Sequence, residues 1–485
     1  MKARLNPLCL LVLLVHTLHA QESTTVDQRL QSLSNAVVDM QQRLVQSQRQ
    51  IDQLNAEVQS LRKELAKATP DSDDEETTAR LQAAVSDLKD DNEVLQSEVK
   101  QHEQTKLETA SKYPVKVTGV LLFSSFLNNG QVDNIDDPVL AYQHVAGATN
   151  GSFAATIRQS VLGLDATGPE LWGARSSADL RIDFFGGLAY ADYNTSAGIV
   201  RLRTAHARLD WPNHSVAVAL DAPLISPLSP TSFLSVGEPA LAWSGNLWAW
   251  SPQLQVRNRT HFRGATLNYD FGLIDPSAPG PPPASGSRQP DAAEQSRQPG
   301  YQFHGSYAVH VGENNLEIGA GGYYSRQAYS AQQHVDAWAG TADWLLPLGN
   351  RWEMSGEFYR GRAIGGLGGG GFKDVVTNAV SGTARGLSDE GGWAQVKFRF
   401  SPTLEANAAF GQDNPFASEL YDSAEGSAGD PYSSLARNRT TTANIIYRPK
   451  TYLLFSSEFR YLQSWPASGK AATAPVIGFG AGYLF

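Results

Sequence analysis

The chain ends APVIGFGAGYLF, residues 474–485, in which Ile477, Phe479, Ala481, Tyr483 and Phe485 alternate with Gly478, Gly480 and Gly482. Side chains along a strand point to opposite faces in turn, so one face here is apolar and aromatic and the other is nearly bare. Lipid on one side and a polar interior on the other is the pattern of a transmembrane β-strand. A half-buried strand of a soluble sheet shows the same alternation. What separates the two readings lies in the rest of the chain.

Compartment is read from both ends. Stopping on Phe485 resembles the carboxyl-terminal signal of bacterial outer-membrane barrels. At the other end, Lys2 and Arg4 precede an apolar run from Leu8 to Leu18, and the sequence predicts a secretory signal over residues 1–20, cut after Ala20. That run is too short for a helical span, and no other stretch reaches about 18 apolar residues, so insertion is expected by strands. The one cysteine, Cys9, falls inside the signal, which leaves the mature chain without a disulfide or thiolate chemistry.

Residues 25–110 follow a different rule. Val26, Leu30, Leu33, Val37, Met40, Leu44, Ser47, Ile51, Leu54, Val58, Leu61 and Leu65 keep a four–three spacing, the seam of a coiled coil. A break near 70–76, at Pro70 and the acidic run DSDDEE, precedes a second seam from Thr78 to Lys106. At 1.5 Å per residue the two helices would reach about 110 Å if collinear. Association between chains is the expectation, with an intramolecular hairpin as the alternative. The seam composition leaves dimer and trimer open.

From residue 113 to 485 the sequence cuts into sixteen antiparallel strands, the first at 115–126 and the last at 475–485, with fourteen and eighteen as alternatives. Brief turns such as WPNH, GENN and PLGN alternate with long loops at 127–151, 222–249, 273–300, 364–390 and 414–436. The fold class expected is an all-β transmembrane barrel preceded by an α-helical coiled coil, with both termini in the periplasm. The Pro-rich loop 273–300 and the glycine run Gly366–Gly371 read as flexible. The loop 222–249 is apolar and would be costly in water, so it is expected to fold into the lumen as a constriction bearing Ser229, Pro230, Phe233 and Glu238. Lying on the rim is the alternative. Trp243, Trp248 and Trp250 then fall either in that loop or in an interfacial belt.

Alternation also sorts the wall. A cation on the lipid face costs about 2–4 kcal/mol at mid-membrane, which places Arg181, Arg201, Arg203, Arg257, Lys397, Arg399 and Arg460 inward, together with Asp179, Asp183 and Glu458. Such a wall would attract anions, unless its carboxylates neutralise it. The barrel holds 26 Lys and Arg against 31 Asp and Glu, so nucleic acid is not an expected partner. The histidines lack metal-ligand spacing, and the glycine run opens no helix, so neither metal, cofactor nor enzymatic activity is expected.

The stretch IRQSVLGLDATGPELWGARSSADLRIDFFGG at 157–187, then RLRTAHARLDW at 201–211 and SPLSPTSFL at 226–234, resembles the trimeric DcaP-type porins. The order of signal, periplasmic coil and sixteen-strand barrel is also theirs. The resemblance implies a homotrimer in the bacterial outer membrane, with its coil in the periplasm, passing small hydrophilic solutes, anions among them. Phosphate-selective porins are the nearest rival. A structural barrel whose coil tethers the membrane to the cell wall is the alternative from another class.

Overall fold

The computed structural model describes residues 114–187, 198–278, 288–311, 314–330, 332–378, 380–421, 435–467 and 470–485. The signal and the coiled coil lie outside the described residues. One closed sheet accounts for most of the remainder. Its strands are β1 (Val115–Asn128), β2, β3 (Ala174–Asp183), β4 (Arg201–Asp210), β5 (His214–Asp221), β6 (Ser251–Phe262), β7 (Ala265–Ile274) and β8 (Gly300–Val311). They continue through β9 (Asn314–Ser330), β10 (Gln333–Leu348), β11 (Trp352–Arg362), β12 (Ser388–Ser401), β13 (Leu404–Pro415), β14 (Leu435–Lys450), β15 (Leu453–Pro466) and β16 (Ala472–Leu484). Strand β2 has two segments, Ser152–Thr156 and Val161–Leu171, both paired with β1 and interrupted at 157–160. The seventeen ladder segments are therefore sixteen strands, each antiparallel to its neighbours.

The ring closes where the sequence stops. Strand β16 pairs with β1 from Val476↔Asn128 to Leu484↔Val120. Beyond it, Phe485 and Gly119 exchange both backbone hydrogen bonds, at 2.9 and 3.1 Å. Gly119 is required here, since a Cβ on it would stand 3.0 Å from the Phe485 ring and 2.4 Å from the Val161 carbonyl. Closure removes the two unpaired edges that an open sheet would expose.

Seven turns join the strands at one end, and eight connections, L1 to L8, join them at the other. In the turns Trp172-Gly173 (φ 51° and 76°) and Arg263-Gly264 (φ 48° and 83°) both residues are left-handed. That geometry matches the twist of the flanking strands. Outward-facing side chains such as Leu121, Phe123, Phe271, Phe303, Phe358, Phe455 and Phe479 are exposed, and the alternate positions are buried. Strands β3, β4 and β5 differ: ARSSADLRID, RLRTAHARLD and HSVAVALD hold no Phe, Tyr or Trp.

Candidate functional site

The connection L3, residues 222–250, lies inside the ring, with Leu224, Ile225, Leu234, Leu241 and Leu247 buried. An irregular backbone in such a place needs partners for its polar groups. The inward faces of the strands supply them. Gln302 of β8 accepts from Leu224 N (2.8 Å), and Thr341 of β10 donates to Ile225 O (2.7 Å). Glu357 of β11 accepts from Ser226 Oγ (2.5 Å) and Leu228 N (2.7 Å). Gln395 of β12 accepts from Thr231 N (2.7 Å), and Asn444 of β14 donates to Thr231 O (2.8 Å). Glu458 of β15 accepts from Ser232 Oγ (2.6 Å). Leu234 rests on the bare face of β16, where a Cβ on Gly478 or Gly480 would stand 2.8 or 3.0 Å from its methyl groups. The terminal glycines thus make room for the loop.

Arg460 fastens this arrangement. Its side chain is 5% exposed, pairs with Asp137 at 2.8 Å and Glu458 at 2.6 Å, and donates to Leu234 O at 2.6 Å. Asp137 belongs to L1, residues 129–151, one of the long loops, which also turns inward. Arg158 pairs with Asp136 (2.9 Å), Asn438 donates to Val139 O (3.0 Å), and Val139 and Leu140 pack on Leu435 and Trp243. Burial pushes the Asp137 carboxyl up to about 6 against the pull of Arg460.

L6, residues 363–387, comes in from another side. Gly365, Gly366 and Leu367 are buried, Ala249 N donates to Leu367 O at 3.3 Å, and Phe372 packs on Trp243 and Trp248. The expectation of a flexible glycine run is corrected here. Gly370 N donates to Asp389 and Gly371 N to Asp413, both at 2.7 Å. The left-handed φ of Gly368, Gly370 and Gly371 (103°, 61° and 58°) is what only glycine adopts without cost. In the Pro-rich loop between β7 and β8, which was expected to be flexible, a short capped helix α1 (Ala292–Gln295) packs with Ala278 against Tyr329.

A second Arg–carboxylate group stands at the border of L3. Arg201 pairs with the fully buried Asp183 at 2.7 Å and Arg203 lies 3.7 Å from it. Their guanidinium groups sit over the Trp250 ring at 5.1 and 4.6 Å. Arg201 donates to Gly237 O at 2.6 Å, and Arg203 donates to Val236 O. Arg203 also lines a cavity of about 310 Å3 with Ser226, Ser229, Pro230, Ser232 and Trp250.

The other residues singled out by sequence fall as follows. Arg181 pairs with Asp165 at 2.6 Å, Arg257 lies opposite Asp270, and Lys397 and Arg399 share Glu353 at 3.5 and 2.7 Å. Asp179 bonds His206 at 2.8 Å. Asp183, Glu458 and Arg460 point inward but are sealed by L3, so they do not line open water as expected. The Arg448 guanidinium lies 5.2 Å from the Phe233 ring, and Glu238 N donates to Asp137 at 3.2 Å. Trp243, Trp248 and Trp250 belong to this interior assembly rather than to an interfacial belt.

Two groups escape the sequence reading. His206, between Asp179 and Asp221 (2.8 and 3.0 Å), shares the arginines' side of β4 because a bulge opposite Arg181/Ile182 shifts the alternation after Arg203. Asp136 and Asp137 lie in a loop whose following residues, PVLAY, carry the same apolar signal that places L3 inside.

No family model matches the sequence, and no curated protein matches it. Among solved structures, the barrel is similar to the outer membrane channel DcaP of Acinetobacter baumannii, with a TM-score of 0.59 and 16% identity over 78% of this chain and 99% of that one. An anion-selective porin from Comamonas acidovorans gives 0.49 and 12%, over 77% and 100%. At these identities the likeness is one of fold. The chain has the sixteen-strand, antiparallel, closed barrel of outer-membrane porins.

Proposed function

We propose that this protein is a passive diffusion channel of the bacterial outer membrane for small hydrophilic solutes, with a weak preference for anions. The observation that carries the reading is L3, held across the lumen by wall side chains, with the Arg203 cavity at its edge. Solutes passing such a constriction move within the roughly 8 Å over which a charge acts in physiological salt. The outer membrane channel DcaP, whose barrel this one resembles, supports the channel reading.

The protomers associate as a homotrimer in this reading. Strands β3 to β5, short and without aromatics, present Ala178, Leu180, Leu202, Ala205, Ala207 and Val218 outward, a smoother face than the aromatic wall from β7 onward. Close packing against another barrel suits small side chains. Residues 25–110 reinforce the association from the periplasm.

One observation favours a second reading. L1, L3 and L6 all occupy the interior, as they would in a plugged barrel that serves a structural role. Liposome swelling separates the two. A channel admits sugars and amino acids at rates that fall with solute size, and a plug admits none.

A further inference from the structure

On the outward face of β9 to β14, at the end that carries the long loops, Arg326, Arg360, Arg362, Arg437 and Arg439 stand against two carboxylates, Asp336 and Glu390. Alternation assigns the face. Arg437 and Arg439 share it with Ile445 and Tyr447, which are exposed, whereas Asn438, Thr440 and Asn444 are buried. Arg326 lies 3.9 Å from Asp336 and Arg360 2.9 Å from Glu390, in exposed pairs. Arg437 and Arg439 are held differently. Arg437 donates from Nε to Asn414 (2.8 Å), and Arg439 donates from Nε and Nη2 to Gln412 (3.0 and 2.6 Å). Both stand over Trp465, 5.6 and 5.3 Å from its ring, and Arg439 lies 5.5 Å from that of Phe410. Among the described residues, no carboxylate forms an ion pair with either. Neutral amides and rings thus fix two guanidinium groups on the outside of the barrel and leave their charge unmatched.

We propose that this face binds the phosphate groups of a phosphorylated glycolipid, the lipopolysaccharide of the outer leaflet, with Arg437 and Arg439 at its centre. A lipid-facing arginine is destabilising at mid-membrane and tolerated at the interface. Arg439 is separated from Tyr447 by about 27 Å of tilted strand, which puts it at the edge of an apolar band about 25 Å tall. Guanidinium groups bind phosphate through paired N–H donors, and rings such as Phe410 and Trp465 beside them suit the ends of acyl chains. The charged row is continuous: Arg360 is paired with Glu390, Glu390 lies opposite Asn414, and Asn414 holds Arg437. From β11 to β14 that row covers about 14 Å, room for more than one phosphate of a headgroup. In the closed ring β12 stands opposite β4, so the cluster faces lipid when β3 to β5 pack against other protomers.

The lipid site rests on the outer-membrane placement of the barrel and not on its conducting. Full-length protein, immobilised in detergent, is titrated with lipopolysaccharide, and the retained mass is recorded by surface plasmon resonance. Arg437→Gln with Arg439→Gln should weaken binding about tenfold or more. Arg263→Gln with Arg351→Gln, which removes two exposed cations from turns at the opposite end, should leave it unchanged. Lipopolysaccharide stripped of its phosphates should bind the wild type as weakly as it binds the Arg437/Arg439 variant. Equal binding by that variant and the wild type, binding indifferent to the phosphates, or displacement by phosphatidylglycerol vesicles as effective as by lipopolysaccharide overturns the proposal. So does a variant that keeps its binding and loses its oligomeric state on native gels, which makes this face a contact between copies. A wild-type barrel that conducts in planar bilayers without binding lipopolysaccharide removes the lipid site alone, and one that binds without conducting removes the channel reading alone. Circular dichroism checks that the variant barrel is intact. If the double variant does not fold, Arg437→Gln and Arg439→Gln carry the same comparison singly.

Discussion

Arg460 and Arg203 look alike in the sequence: each is an arginine at an inward strand position. In the structure Arg460 is sealed between Asp137, Glu458 and the Leu234 carbonyl, whereas Arg203 has 19% of its side chain exposed and borders a cavity. The first is closed off beneath the loop, and the second, though it too donates to a carbonyl of L3, keeps an open side. Alternation reports which face a residue occupies, and only the course of the loops decides whether water reaches it.

The largest effect expected from breaking this contrast is at Arg460. Arg460→Ala leaves Asp137 and Glu458 buried without their cation, at a cost of about 3–5 kcal/mol. Thermal unfolding in detergent should show a clear fall in melting temperature. An unchanged melting temperature would place Arg460 with the exposed group. Leu234→Ala comes next. It empties the space against Gly478 and Gly480 and should cost about 2–5 kcal/mol, less where L3 relaxes into the gap. Arg360→Gln serves as the lower bound, since its pair with Glu390 (2.9 Å) is exposed on both sides and worth about 0–1 kcal/mol. A loss at Arg360 equal to that at Arg460 would remove the distinction between sealed and exposed pairs.

Much of this was legible before any coordinates. The strands were, because lipid on one face enforces period two from β1 to the residues around Phe479. The inward position of L3 was, because SPLSPTSFL and ALAW are too apolar for an outer loop. The partners of L3 were not: Asp137 and Arg460 are 323 residues apart, and nothing local in either links them. The glycine run of L6 misled because left-handed glycines serve a buried turn as readily as a flexible one. His206 was hidden by a single bulge, since one extra residue reverses every later side chain on the strand.

The division of labour between the two arginine groups is tested most directly by reversal potentials in a planar bilayer under a salt gradient, with conductance recorded in the same traces. Arg201→Gln with Arg203→Gln should move the wild-type potential from weak anion preference toward cations while changing conductance less than Arg460→Ala does. Arg460→Ala should change conductance and its noise, through a loosened L3, with a smaller change in preference. The account is contradicted if the wild type prefers cations, or if neutralising Arg201 and Arg203 leaves the reversal potential where it was.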